Sequence, residues 1–221
     1  MIELCVADGK IELAGFSPEE SVAALARAVE DFRLQQELET RYCYDCGGCC
    51  NQAIPVLGLD LPVLSAATGL APGRLAGELF DLPPVPTAEE RRKAIRDMVR
   101  QDGFTPEQAA LLYDHNRAEP IILKSKRDGT CVLLKGRLCS IYEHRPFMCR
   151  LYLCNMGEEL SVLYEKIIGQ GIWHAYARMG WIDESELGSN PFVGRSSYED
   201  VPLGEFDADL GDAAERLFFY F

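Results

Sequence analysis

The sequence lacks the features of a membrane protein. No run reaches 18 apolar residues, so no transmembrane helix is expected. The opening stretch, MIELCVADGKIEL, has no basic segment followed by an apolar run, so no secretory signal is expected. The expected location is therefore the cytoplasm. Positive charge is also scarce. Lys and Arg number 22 against 35 Asp and Glu, a net charge of −13, which disfavours general binding to nucleic acid or an anionic membrane. Internal repeats and low-complexity linkers are missing. The three histidines, His115, His144 and His174, stand far apart and read as ordinary side chains rather than ligands.

What is present is ordinary in bulk and unusual in one respect. Hydrophobic residues make up 48% of 221 residues, enough for one domain with a proper core. The nine cysteines are therefore not needed as staples. In a reducing compartment disulfides do not persist, so clustered cysteines read as metal ligands or redox groups. Charge is unevenly spread. From Asp183 to Arg216, ten acidic residues stand against Arg195 and Arg216, a net −8. From Ile121 to Arg150, seven basic residues stand against Asp128 and Glu143, a net +5. The basic block also holds Cys131, Cys139 and Cys149.

Local signals predict a mainly α (α+β) fold: a helical single domain with a small β-hairpin element beside a cysteine-ligated metal site. Ser17-Pro18-Glu19-Glu20 reads as a helix start, with Ser17 as N-cap. Val22, Leu25, Val29 and Phe32 form one apolar stripe, and the helix is expected to run to about Thr40. Residues 55 to 86 read as short helical turns and loops. Thr87-x-x-Glu90 opens a charged helix that Gly103 stops, and Thr105-Pro106-Glu107-Gln108 opens another through about Asn116. Ile121 to Lys126 and Cys131 to Leu134 read as strands around an Asp128-Gly129 turn. A second turn at Lys135-Gly136-Arg137 leads into Leu138 to Tyr142. Separate helices are expected at Glu158 to Ile168 and Ile172 to Met179. The domain is drawn as residues 1–182 with a motif core at 43–154. Residues 183–221 are drawn as an acidic C-terminal extension packed on it. Trp173 and Trp181 read as core.

The cysteines fall into two sets. The first is Cys43-Tyr-Asp-Cys46-Gly-Gly-Cys49-Cys50. Its C-x2-C-x2-C run can turn three sulfurs toward one centre, as in iron–sulfur proteins with a distant fourth thiolate. Gly47 and Gly48 let the backbone curl and bring N–H groups near the sulfurs. Adjacent cysteines are awkward ligands for a single tetrahedral ion, so Cys49 and Cys50 serve different metals, or one is a buried thiol. Asp45 reads as a solvated loop acid. The second set is Cys131, Cys139, Cys149 and Cys154, too widely spaced for the second knuckle of a zinc ribbon. Metal must then join residues 43–50 to 131–154 and contribute to folding. Arg145 and Arg150 flank Cys149 and are placed to favour its thiolate. Tyr142 is placed to donate a hydrogen bond to a sulfur. Cys5 stands apart and reads as a plain thiol.

CYDCGGCC at 43–50, CVLL at 131–134 and CSIYEHRPFMCR at 139–150 resemble the YkgJ-type CxxCxxCC family, described as zinc- or iron-chelating. The resemblance covers about half the chain. It implies that Cys43, Cys46, Cys49, Cys50, Cys131, Cys139 and Cys149 chelate the metal, with Cys154 a further position. It also matches Tyr142, Arg145, Pro146 and Arg150 to the family's other signature positions. The cysteine pattern is similar, too, to that of flagellin lysine-N-methylases, which implies an iron–sulfur cluster and raises methyl transfer. No glycine-rich loop suited to S-adenosylmethionine accompanies it. The expected partner is a metal ion or cluster, [4Fe–4S] or zinc, with no nucleic acid and no membrane. The sequence leaves open one site or two, and whether the chain is an enzyme.

Overall fold

The computed structural model describes residues 1–35, 49–82, 88–106, 109, 119–151 and 156–206. Two compact units are present. One comprises Met1–Asp81 and Ile121–Ala208, the other Leu82–Pro120 and Asp209–Phe221. The architecture is mainly helical with small antiparallel two-stranded sheets. No described helix is long and apolar enough to cross a membrane.

The first unit begins with a hairpin that the sequence reading did not foresee. β1 (Ile2–Ala7) pairs with β2 (Lys10–Phe16). Asp8 and Gly9 make the turn with φ of 51° and 76°, the two positive angles a tight hairpin turn needs. Ile11 is the buried anchor of the pair. Its carbonyl accepts the Gly157 N–H at 2.8 Å. The Glu12 carboxylate accepts the Glu158 N–H at 3.3 Å, satisfying an orphan donor at a helix start. A Cβ at Gly157 would land about 2 Å from that carboxylate, so glycine lets the Glu12 side chain keep this place.

Helix α1 (Val22–Gln35) starts later than expected. Ser21 is its cap, accepting the Ala24 N–H at 3.0 Å, and Ser17 instead bonds Glu19 within the preceding turn. Val22, Leu25, Ala26 and Val29 are buried, one stripe at helical spacing. The end expected near Thr40 lies outside the described residues. α2 (Asp60–Thr68) and α3 (Pro72–Leu79) follow in the Pro- and Gly-rich stretch. β3 (Phe80–Asp81) pairs with β4 (Ile122–Leu123). β5 (Leu134–Lys135) pairs with β6 (Leu138–Cys139) across a turn in which Gly136 has φ of 63°. In the second unit, α4 (Ala88–Asp102) ends before Gly103, whose φ is 73°.

A five-residue helix, α5 (Phe147–Leu151), precedes the long α6 (Glu158–Arg178). Two helices were expected where α6 is one. Gly171 does not break it, because the position is used for close packing. A Cβ there would lie 2.9 Å from Leu57 Cδ1, and the Gly171 carbonyl accepts the Gly58 N–H at 3.0 Å. Tertiary approach here overrides the weak helix propensity of glycine. Gly58 in turn lies against the ring of His174. His174 is 1% exposed, and neither ring nitrogen has a hydrogen-bond partner. Its ring stacks on Phe192 at 5.9 Å. Trp173 and Trp181 both pack on Tyr176.

Burial holds the His174 imidazole down to about 4, with Arg178 adding to the effect and Glu184, 4.0 Å from Nε2, opposing it. An unfolded histidine takes a proton near pH 6.5, so this contribution is intact above that value and is lost as pH falls toward 4. The buried Asp60 carboxyl, raised to about 6 chiefly by burial, moves the opposite way, its protonation favouring the fold below that pH. His174→Leu removes the first effect alone. Urea midpoints measured from pH 7 to pH 5 should fall less in the variant than in the wild type, by about 1–2 kcal/mol in stability. Parallel pH dependences would contradict the assignment of a neutral buried His174.

Candidate metal centre

Four of the predicted cysteines, Cys50, Cys131, Cys139 and Cys149, are described, and all lie in the first unit on separate segments. Cys50 lies in a 3-10 turn over Cys49–Asn51. Its carbonyl accepts the Cys131 N–H at 2.6 Å, fastening the end of the first cysteine run to the hairpin. The turn forms where Asp128-Gly129 predicts it, but Cys131 to Leu134 is not the strand expected: Cys131 makes one bridge to Ser125, and the Leu134 N–H bonds the Cys131 carbonyl at 3.0 Å, folding 131–134 into a turn. Lys126 N–H bonds the Thr130 carbonyl at 2.6 Å, Val132 N–H bonds the Lys124 carbonyl at 2.8 Å, and Gly129 has φ of 83°. The Asp128 carboxylate accepts from Thr130 N at 2.9 Å and from its hydroxyl at 2.7 Å. Cys131 is thus held on a rigid turn and is buried. Cys139 lies on β6 opposite Leu134. Ser140 N–H then bonds the Leu133 carbonyl at 2.9 Å.

Cys149 comes from α5. Its N–H bonds the Pro146 carbonyl at 2.9 Å, closing the first turn after a proline that fixes the entry angle. The turn before α5 is held by Arg145. Its Nε donates to the Tyr142 carbonyl at 2.8 Å, and its guanidinium lies 3.8 Å over the Tyr142 ring. One Nη donates to Glu30 of α1 at 3.1 Å. That side chain is 10% exposed, so this pair is better shielded than an ordinary surface ion pair. Arg150 donates to the Glu143 carbonyl at 3.0 Å. The RP-x-x-CR signature thus builds a small, braced platform that carries Cys149.

Burial pushes the Cys149 thiol well above its ordinary value. The charges of Asp60, Cys131, Cys139 and Cys50 push it the same way. Burial also raises Cys131, with Cys139 adding to it. A set of buried thiols such as Cys131 and Cys149 ionises readily only beside a cation. Soft or borderline metals bind such a set and displace the protons. The donor chemistry therefore fits zinc or iron. Among the described residues, Cys50, Cys131, Cys139 and Cys149 included, no group of three or more His, Cys, Asp or Glu side chains is placed to hold a metal ion. Cys43, Cys46 and Cys154, with Asp45, lie outside the described residues, as does the side chain of Cys49.

A model of the CxxCxxCC family, described as "Putative zinc- or iron-chelating domain", matches residues 42–166. The chain belongs to this family. No curated protein and no solved structure matches it. The CxxCxxCC match takes in both cysteine sets and most of the scaffold just described. It leaves out α1, which supplies Glu30, and the C-terminal part of the first unit.

Sequence reasoning missed Asp60. It is the sole charged residue between Asn51 and Gly73, and that isolation was the available signal. The carboxylate is 1% exposed, and its field reaches Cys149. His144 is exposed, and His115 lies outside the described residues.

Cys149→Ser should sharply lower the metal recovered per chain and lower the thermal midpoint. Cys5→Ser, which alters an exposed thiol on β1, should change neither. Elemental analysis of the purified variants checks this, and unaltered metal in Cys149→Ser would contradict the placement of Cys149 at the centre.

Proposed function

We propose that the chain is a thiolate-ligated metal protein whose centre is an iron–sulfur cluster, used in electron transfer or to organise a reaction. Cys43, Cys46, Cys49, Cys50, Cys131, Cys139, Cys149 and Cys154 are its candidate ligands. The reading is supported above all by the backbone bond that fastens Cys131 to Cys50, within a family match that takes in both cysteine sets. The C-x2-C-x2-C run ends at the same place. Such a run plus a distant thiolate is how cysteines hold polynuclear iron. Eight thiols also exceed the four that one zinc ion or one cluster requires, which allows a second metal. Tyr142, Arg145 and Arg150 are the groups proposed to surround the ligands and set the local potential. A reducing compartment, the cytoplasm, keeps such thiols available.

A structural or regulatory zinc site is the second reading, and one observation favours it. The Cys50–Cys131 backbone bond joins segments far apart in sequence, and a redox-inert ion with four thiolates would reinforce that junction. Anaerobic purification with an ultraviolet–visible spectrum and analysis for iron, zinc and acid-labile sulfide separates the two. A brown protein with comparable iron and sulfide supports the cluster. A colourless protein with zinc and no sulfide overturns it in favour of zinc.

A further inference from the structure

Asp60 has more partners than its helix requires. As the first residue of α2, it is placed to serve a helix start, and its Oδ2 accepts the Leu57 N–H at 2.9 Å. That single bond would satisfy a local role. Its other oxygen looks elsewhere. Oδ1 accepts the backbone N–H of Phe147 at 2.9 Å and the hydroxyl of Tyr198 at 2.9 Å. These partners lie 87 and 138 residues away in the chain. The carboxylate is buried, so each bond is made in a medium where an unmet group is costly.

Phe147 is the first residue of α5, two positions before Cys149. Its ring stacks on that of Tyr198 at 4.8 Å and 22°. Its backbone and its side chain are therefore both fixed, one by Asp60 directly and one through the hydroxyl that Asp60 accepts. A five-residue helix has too few bonds of its own to set its direction. External contacts must do so. Arg145, Pro146, the packing of α1, the buried Tyr164 ring 6.4 Å from that of Phe147, and the Asp60–Tyr198 pair are those contacts, and of these Asp60 is the one that takes the helix's first backbone N–H. A carboxylate suits the task better than an amide. All three incoming groups are donors, and an amide would turn an N–H toward at least one of them.

We propose that Asp60 is a positioning residue for the metal centre, aiming Cys149 at the metal through the Phe147 backbone, with Tyr198 as its brace. The inference rests on the reading of Cys149 as a ligand. The segment after α6 thereby becomes part of the site's support. Beyond Tyr198, Glu199 pairs with Arg27 of α1 and with Ser21, and Val201 carbonyl accepts the Val22 N–H at 2.9 Å.

The test uses the full chain, stripped of metal and titrated anaerobically with cobalt(II), whose thiolate charge-transfer absorption counts bound sulfurs. In Asp60→Asn, cobalt affinity should fall about tenfold or more. At saturation the charge-transfer intensity per cobalt should drop by roughly one thiolate's share. Tyr198→Phe should show the same change to a smaller degree, and it carries the test if Asp60→Asn does not fold. Cys149→Ser is the reference for a lost sulfur. A residue that merely stabilises the fold would lower the thermal midpoint and leave the saturated spectrum alone. That result in Asp60→Asn, or in Tyr198→Phe where only it folds, overturns the proposal while the metal reading stands. A wild-type spectrum in Cys149→Ser overturns both.

Discussion

The hydrogen bond from Cys131 N–H to the Cys50 carbonyl, 2.6 Å long, joins the two cysteine-bearing segments on which the centre depends. Thiols delivered by one cysteine run cannot saturate a metal while also leaving the chain free to fold elsewhere. They need partners from a distant segment, and the entropy of bringing those ends together grows slowly with loop length but is unfavourable throughout. The hairpin around Asp128-Gly129 meets that requirement locally, by presenting Cys131 on a turn whose own bonds fix it before the loop closes. Cys139 and Cys149 then follow on short, stiff connections. A metal bound across this junction would add its binding free energy to folding.

The scaffold around the junction is built from buried polar anchors rather than from long regular elements. Arg145 is shared between the Tyr142 ring and Glu30. Asp60 is shared among Leu57, Phe147 and Tyr198. Each draws one short segment of the cysteine platform against a helix elsewhere in the unit. Breaking such an anchor leaves a buried charge without partners, which is why their loss costs more than the bond itself is worth. The apolar core, with α6 lying against residues 57–58 through Gly171 and Gly58, supplies the rigid floor. Family membership agrees with this division. The CxxCxxCC match spans the cysteines and the platform, whereas the two outer anchors, Glu30 and Tyr198, lie outside its residues 42–166.

Much of the fold was legible because the signals were local. Asp128-Gly129 and Lys135-Gly136 specified their turns through the positive φ that glycine permits, and the structure has both. Pro- and Gly-rich chemistry at 55–86 correctly gave short helices. Where the reading failed, tertiary contacts had won. Gly171 read as a break, yet the helix runs through it, because the missing side chain is what lets Leu57 approach. Ser17 read as a cap on composition alone, while Ser21 takes that place once the hairpin β1–β2 fixes where the helix enters. The hairpin itself was marked by Asp8-Gly9, but its strands bury only Ile11 fully and the alternation was faint. The centre was half legible. Cysteine spacing named the ligand candidates, and the RP-x-x-CR signature named the platform. Asp60 could not be placed, because its two long-range partners, one inside the second cysteine set and one well beyond it, lie 87 and 138 residues away and no spacing relates them.

The most direct test of the central claim, that cysteines from both halves of the chain enclose one thiolate-rich metal site, is X-ray absorption at the metal edge of the purified full chain. The account predicts a first shell dominated by sulfur at about 2.3 Å, with a further metal–metal distance if the occupant is a cluster. A first shell of nitrogen or oxygen alone at about 2.0–2.1 Å would contradict it, because the thiols would then not be the ligands.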